Sequence, residues 1–255
     1  MPTIVRLIGL ILVGLAVAPA GSAAAAAPTG APAGQPDNVP CKIVEQAQPQ
    51  FPRQLLQAGV SHGVVRVLLK VSAAGELADT LLTAYSRKAF AEEAQRVIKQ
   101  WKFTPGRAKG QPVDTIIDLT FSFEVKEVLV AQRFSQDPSP AMERFDGFEY
   151  HAANVESLDR TPTPLNVVEP TYPQEWIKEG ITGRVAVNFF IDETGQARFP
   201  IAAPGAHELL AGIAVAAVQQ WRFIPPKVKG RPVLVRALQV FDFDANPAPE
   251  AKAGP

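Results

Sequence analysis

The chain of 255 residues has a single cysteine, Cys41. An internal disulfide and a cysteine-based metal cluster are therefore excluded, and the expected status of Cys41 is a free thiol in a flexible segment. Histidine is almost as scarce, with only His62, His151 and His207. His207-Glu208-Leu209-Leu210-Ala211 opens like a zinc-protease helix, but Ala211 stands where a second histidine is needed. No Gly-x-Ser-x-Gly elbow and no phosphate-cradling Gly-x-x-x-x-Gly-Lys occurs, so neither an enzyme nor a bound cofactor or metal is expected. Charge of one sign is also missing, since Lys+Arg and Asp+Glu number 25 each. That balance argues against nucleic acid as the main partner, because neutralising phosphates requires an excess of Lys and Arg.

Long hydrophobic runs are absent too. The strongest, Leu7 to Ala18, is 12 residues, short of the ~20 that a membrane-spanning helix needs. Arg6 precedes it, and Ala18-Pro19-Ala20 and the Ala23 to Ala27 tract follow it, which is the layout of a secretory signal peptide. Residues 1–26 are assigned to that leader, with an uncleaved inner-membrane anchor as the alternative and a periplasmic location for the rest.

What the chain does have is a duplication. Trp101-Lys102-Phe103-Thr104-Pro105, followed by Lys109-Gly110-Gln111-Pro112-Val113, returns 120 residues later as Trp221-Arg222-Phe223-Ile224-Pro225 and Lys229-Gly230-Arg231-Pro232-Val233. The same offset relates Gly75 to Gly195, Gly63 to Gly183, and Phe121-x-Phe123 to Phe241-x-Phe243. Further upstream, Phe51-Pro52 and Gly59 match Tyr172-Pro173 and Gly180 at an offset of 121. The repeated unit spans roughly 75 residues, the size of a small domain rather than of a solenoid repeat.

Within each unit the pattern predicts α-β-β-α-β. Pro52 and Gly59 bracket a short helix. Val65, Val67, Leu69 and Val71 alternate as a half-buried strand, Gly75 turns the chain, and Leu77 to Ala84 returns. Phe90, Ala94, Val97, Ile98 and Trp101 form one helical stripe, and alternation from Val113 to Phe123 predicts a long third strand. The expected class is α+β: two tandem domains, each a three-stranded antiparallel sheet covered by helices. The domains are set at 47–125 and 166–244, with a flexible linker at 27–46, an inter-domain segment at 126–165 and a disordered tail at 245–255. Aromatics in 126–165, including Phe134, Phe145, Phe148 and Tyr150, indicate that part of that segment packs on a domain.

The ordered set of Phe/Tyr-Pro, strand and turn glycines, Trp-[Lys/Arg]-Phe-x-Pro, Gly-x-Pro-Val and Phe-x-Phe resembles the TonB C-terminal domain, twice over about 150 residues. Trp101, Phe103 and Pro105, with Trp221, Phe223 and Pro225, are its structural motif. The resemblance implies a non-enzymatic transducer that grips the TonB box of outer-membrane receptors. The family's anchor helix couples to ExbB and ExbD through a Ser and a His. Here all three histidines lie far downstream of the leader, so coupling through this N-terminus is not expected.

Strand addition to the third strand would be the means of binding, because the edge of a sheet offers unpaired N–H and C=O groups. Repeat 1 is expected to read the peptide. Its lead-in Gln48-Pro49-Gln50-Phe51-Pro52 is similar to the Gln-Pro-Gln-Tyr-Pro of the family, and Asp114, Ile116, Asp118 and Thr120 lie on the outer face of its strand. Repeat 2 has Glu169-Pro170-Thr171 instead. Its uncharged helix from Leu209 to Gln219 and its apolar Leu234, Leu238 and Val240 suggest packing against repeat 1 or a second copy. An envelope adaptor that uses the fold without energy coupling is the alternative function.

Overall fold

The computed structural model describes residues 5–11, 38–125, 128–133 and 147–243. The main strands are β1 (Val5–Ile11), β2 (His62–Val71), β3 (Leu77–Tyr85), β4 (Thr115–Glu124), β5 (Val128–Arg133), β6 (Gly183–Ile191), β7 (Ala197–Ala202) and β8 (Val235–Phe243). The helices are α1 (Arg53–Gln57), α2 (Lys88–Ile98), α3 (Gln174–Lys178) and α4 (Glu208–Val218). The class is α+β with antiparallel sheets, and the chain divides into two compact units, one per repeat.

In the first unit α1 starts at Pro52, whose fixed φ suits a helix start, and stops before Gly59 at φ +76°. β2 and β3 form a hairpin, and β2 also pairs with β4. Val65, Val67, Leu69 and Val71 of β2 meet Ile117, Leu119, Phe121 and Phe123 of β4 beneath Phe90, Ala94, Val97 and Ile98 of α2. All of these are buried, so the two periods read in the sequence, 2 and 3.6, converge on one core. Gly63 lies under the Phe90 ring, where a Cβ would stand 2.1 Å from the ring.

The second unit repeats this plan with β6, β7, α4 and β8. Its core joins Val185, Val187, Phe189, Leu210, Val218, Trp221, Phe241 and Phe243. Its β6–β7 turn is held by Asp192, which accepts from the Thr194 hydroxyl (2.6 Å), from the backbone N–H groups of Gln196 (2.9 Å) and Thr194 (3.0 Å), and from Arg198 (3.1 Å). Burial raises the Asp192 pKa, but these donors outweigh it and leave the carboxyl below its ordinary value.

Three expectations need correction. The sheets are not three-stranded: the first has the order Tyr150–His151, β3, β2, β4, β5, and the second β1, β8, β6, β7. Edge strands supplied from outside each repeat satisfy backbone groups that three strands would leave open. The long third strand does not start at Val113, because Gln111–Val113 forms its own hairpin with Gly106–Ala108 and β4 begins after Asp114.

The linker assigned to 27–46 is not flexible in its last part. Lys42–Glu45 pairs with Lys102–Thr104, Val39 bridges Arg107, and Cys41 is fully buried in the first core. A thiol packs as a small apolar group, and pairing of its flanks supplies the hydrogen bonds that a Pro/Ala-rich composition alone does not predict. The repeat therefore extends further upstream than its motifs. Asn38 Oδ1 accepts from Lys109 N–H at 3.2 Å, and Asp159 accepts from Lys229 N–H and Gly230 N–H at 2.7 Å each.

Segment 147–159 is ordered by packing. In the first unit Tyr150 stacks on Tyr85 at 5.0 Å, Arg66 lies over Phe148 at 5.8 Å, and the Glu149 carboxylate accepts from Lys88 N–H. In the second unit Val155 and Leu158 pack on the core. Phe134, Phe145 and the tail at 245–255 lie outside the described residues.

Candidate functional site

The last strand of each repeat has the first strand on one side and a potential acceptor edge on the other. In the first unit that edge is filled by β5. Three residues, Val125 to Glu127, separate β5 from β4, and the pairing runs without a register shift from Phe123↔Val128 to Asp118↔Arg133. In the second unit the edge is filled from the far end of the sequence. β1 pairs antiparallel with β8 from Phe243↔Val5 to Leu238↔Ile11, with a register shift between Ile8 and Leu10. Under the 120-residue offset, 118–123 and 238–243 are the same six positions. Both repeats thus carry an added antiparallel strand on the same window of the same strand.

The residues expected to bind a partner do not form one cluster. Gln48 is exposed and Pro49 buried, and the Gln50 N–H donates to Glu93 Oε1 at 2.7 Å. Phe51 meets Phe90 edge-on at 5.1 Å, and Phe90 contacts Phe123 at 4.7 Å, so this lead-in lies at the Phe123 end of β4. Asp114 is at the opposite end, about 30 Å away at ~3.3 Å per residue. It accepts from Ala73 N–H at 3.0 Å and pairs with Lys70 at 3.0 Å. The bond from Lys70 holds its pKa below the ordinary value, which ties it to the β2–β3 turn. Ile116 stands opposite Lys70 on β2. Asp118 and Thr120 stand opposite Arg133 and Ala131 of β5.

The motif residues are structural within each repeat. Trp101, Phe103, Trp221 and Phe223 are all buried. Pro105 and Pro225 flank the turn glycines: at Gly75 (φ +83°) a Cβ would lie 3.2 Å from Pro105 Cδ, and at Gly195 (φ +85°) 3.3 Å from Pro225 N.

The apolar face of α4 is largely absorbed by its own domain. Ala211, Ile213 and Val215 pack against the second core, leaving Leu209, Gly212 and Ala216 outward. Leu234, just before β8, is fully buried, and Leu238 and Val240 on β8 are half-buried. Among the described residues no group of three His, Cys, Asp or Glu side chains is placed to hold a metal ion, and no helix is long and apolar enough to cross a membrane.

Sequence reasoning missed both added strands. Val128-Leu129-Val130, just after β4, is a short apolar run with two β-branched valines, a strand signal legible in the sequence. Val5–Ile11 carried none beyond hydrophobicity, which a leader peptide explains equally well.

The fold defines a class: paired α-β-β-α-β modules whose last strand accepts another strand. The family described as Gram-negative bacterial TonB protein C-terminal matches residues 47–125 and 168–245, more than half of the chain. The chain belongs to that family and carries two copies of its domain. It is also similar to Protein TonB of Vibrio cholerae serotype O1, 29% identical over 87 residues. That match covers 34% of this chain and 36% of the relative, so the chain spans about a third of the length of the curated relative it matches.

Proposed function

We propose that this chain is a periplasmic, non-catalytic protein of TonB-dependent transport that binds an extended peptide, the TonB box of an outer-membrane receptor, by strand addition. The supporting observation is that the same six-residue window, 118–123 and 238–243, is paired with an added strand in both repeats. Main-chain hydrogen bonds would supply affinity, and pockets for alternate side chains specificity. In repeat 1, Gln48, Pro49, Gln50 and Phe51 would meet the peptide at the Phe123 end. Ile116, Asp118 and Thr120 would lie along it, and Asp114 would fix the start of the strand. Binding there requires β5 to leave.

A second reading, an envelope adaptor without energy coupling, is favoured by the downstream positions of His62, His151 and His207. Crosslinking in cells separates the two. Capture of an outer-membrane receptor through its TonB box, with or without ExbD, supports transport; capture of other envelope proteins alone removes it in favour of the adaptor.

A further inference from the structure

We infer that repeat 2 carries a membrane-contact surface: the hairpin 227–232 and the stretch 159–166 beside it form a basic and aliphatic strip that fits an anionic phospholipid surface.

The strip is two antiparallel runs tied at both ends. The Asp159 N–H donates to the Lys227 carbonyl oxygen at 2.8 Å, the Ile224 N–H donates to the Thr163 carbonyl oxygen at 2.9 Å, and Pro164 pairs with Phe223. Lys227 and Val228 then pair with Pro232 and Arg231, and Lys229-Gly230, both at positive φ, close the hairpin as a two-residue turn. Arg160, Lys227, Lys229 and Arg231 are exposed, and among the described residues none closes a salt bridge. Asp159 is the only acid in 159–166 and 222–232. It accepts from the Gly230 and Lys229 N–H groups, which hold its carboxyl below the ordinary value, so it fixes the turn rather than neutralising the cations. In a chain whose charges balance overall, this strip is strongly positive.

Leu165 and Ile224, beside these cations, are 67% and 49% exposed. Aliphatic side chains next to unpaired cations suit the boundary of headgroups and acyl chains, where phosphates meet the charges and the side chains leave water. A soluble polyanion would use the charges alone. A single-stranded nucleic acid would also use aromatic stacking, and the one aromatic of the strip, Phe223, is buried.

Repeat 1 has the same backbone strip without this chemistry. Val39 bridges Arg107, and Lys42–Glu45 pairs with Lys102–Thr104. Under the two offsets Val39 stands in place of Arg160, Gln111 of Arg231 and Thr104 of Ile224. Lys102 is neutralised by Glu45 at 2.8 Å, where repeat 2 has Arg222 opposite Asn166. The fold therefore does not require the cations, and repeat 1 is an internal control.

The test adds phosphatidylcholine vesicles, with or without phosphatidylglycerol, to the full chain and follows hydrogen exchange at 222–232. The leader is common to every variant, so the lipid concentration at half protection of 222–232 reads the strip itself. Protection is expected only with phosphatidylglycerol. The concentration needed should rise about fivefold per charge removed, on the order of a hundredfold in Lys227→Gln/Lys229→Gln/Arg231→Gln. Leu165→Ser/Ile224→Ser should raise it at unchanged charge, and Lys42→Gln/Arg107→Gln/Lys109→Gln should leave it unchanged. All three variants should melt with the parent, because every side chain changed is exposed. Equal protection by phosphatidylcholine alone, or a Lys227/Lys229/Arg231 variant indistinguishable from the parent, overturns the assignment. Protection by polyglutamate or inorganic phosphate, with none from phosphatidylglycerol vesicles, overturns it in favour of a soluble anion.

Discussion

The indole N–H of Trp101 donates to the carbonyl oxygen of Ala47 at 2.9 Å, and in the second repeat Trp221 donates to Val168 at the same distance. Each tryptophan ends the loop after its helix, lies in the core against Phe121 or Phe241, and fastens the lead-in segment of its own repeat. The Trp-x-Phe-x-Pro motif is therefore a latch between the end of the helix and the start of the domain.

Replacing Trp101 or Trp221 by phenylalanine keeps an aromatic ring but removes the donor. Each change should cost ~1 kcal/mol from the lost hydrogen bond, with some loss of packing in addition. Denaturant unfolding gives the total. Hydrogen exchange should localise the change to residues following Ala47 or Val168, and uniform loss of protection across the sheet would contradict the latch.

The turn glycines are under unequal constraint. A Cβ on Gly195 would lie 2.0 Å from the Phe223 carbonyl oxygen, whereas one on Gly59 meets nothing within 4 Å. Both have positive φ, at +85° and +76°. Gly59→Ala should cost only the left-handed penalty of ~1–2 kcal/mol. Gly195→Ala should cost clearly more, because backbone must move, and equal melting temperatures for the two variants would refute this.

Asp192 sets part of the acid response. Its pKa is lowered in the fold, so it binds protons more weakly when folded than when unfolded. The stability it contributes is complete above the unfolded value of about 4 and is lost as pH falls through the lower folded value. Asp192→Asn keeps an acceptor but no charge. It should melt lower than the parent at pH 7, with the gap closing as pH drops below about 4. A gap that stays constant or widens in acid would show that the charge is not the source.

Cys41 is fully buried, and burial pushes its thiol pKa up. An aromatic disulfide reagent should therefore modify it on the order of a hundredfold more slowly in the native protein than in denaturant, because reaction needs a thiolate and an opening of the Val39–Glu45 segment. Equal rates would return Cys41 to a flexible linker.

The sequence by itself determined the duplication, the α-β-β-α-β order and nearly all of both cores. Those features depend on local period, on Pro and Gly at element ends, and on spacing that repeats at 120 residues. Val65 to Val71, Phe90 to Trp101 and Phe121-x-Phe123 could be assigned because side-chain direction follows from position in one element. Only the tertiary structure decided which backbone edges are closed and by what. Hydrogen bonding between strands depends on N–H and C=O groups that every residue carries, so composition does not say that Val128–Arg133 returns to β4, or that Val5–Ile11 reaches β8 across the length of the chain. The same reason hid Val39 to Glu45, whose place in the fold comes from pairing with Lys102–Thr104 and Arg107 rather than from any pattern of its own.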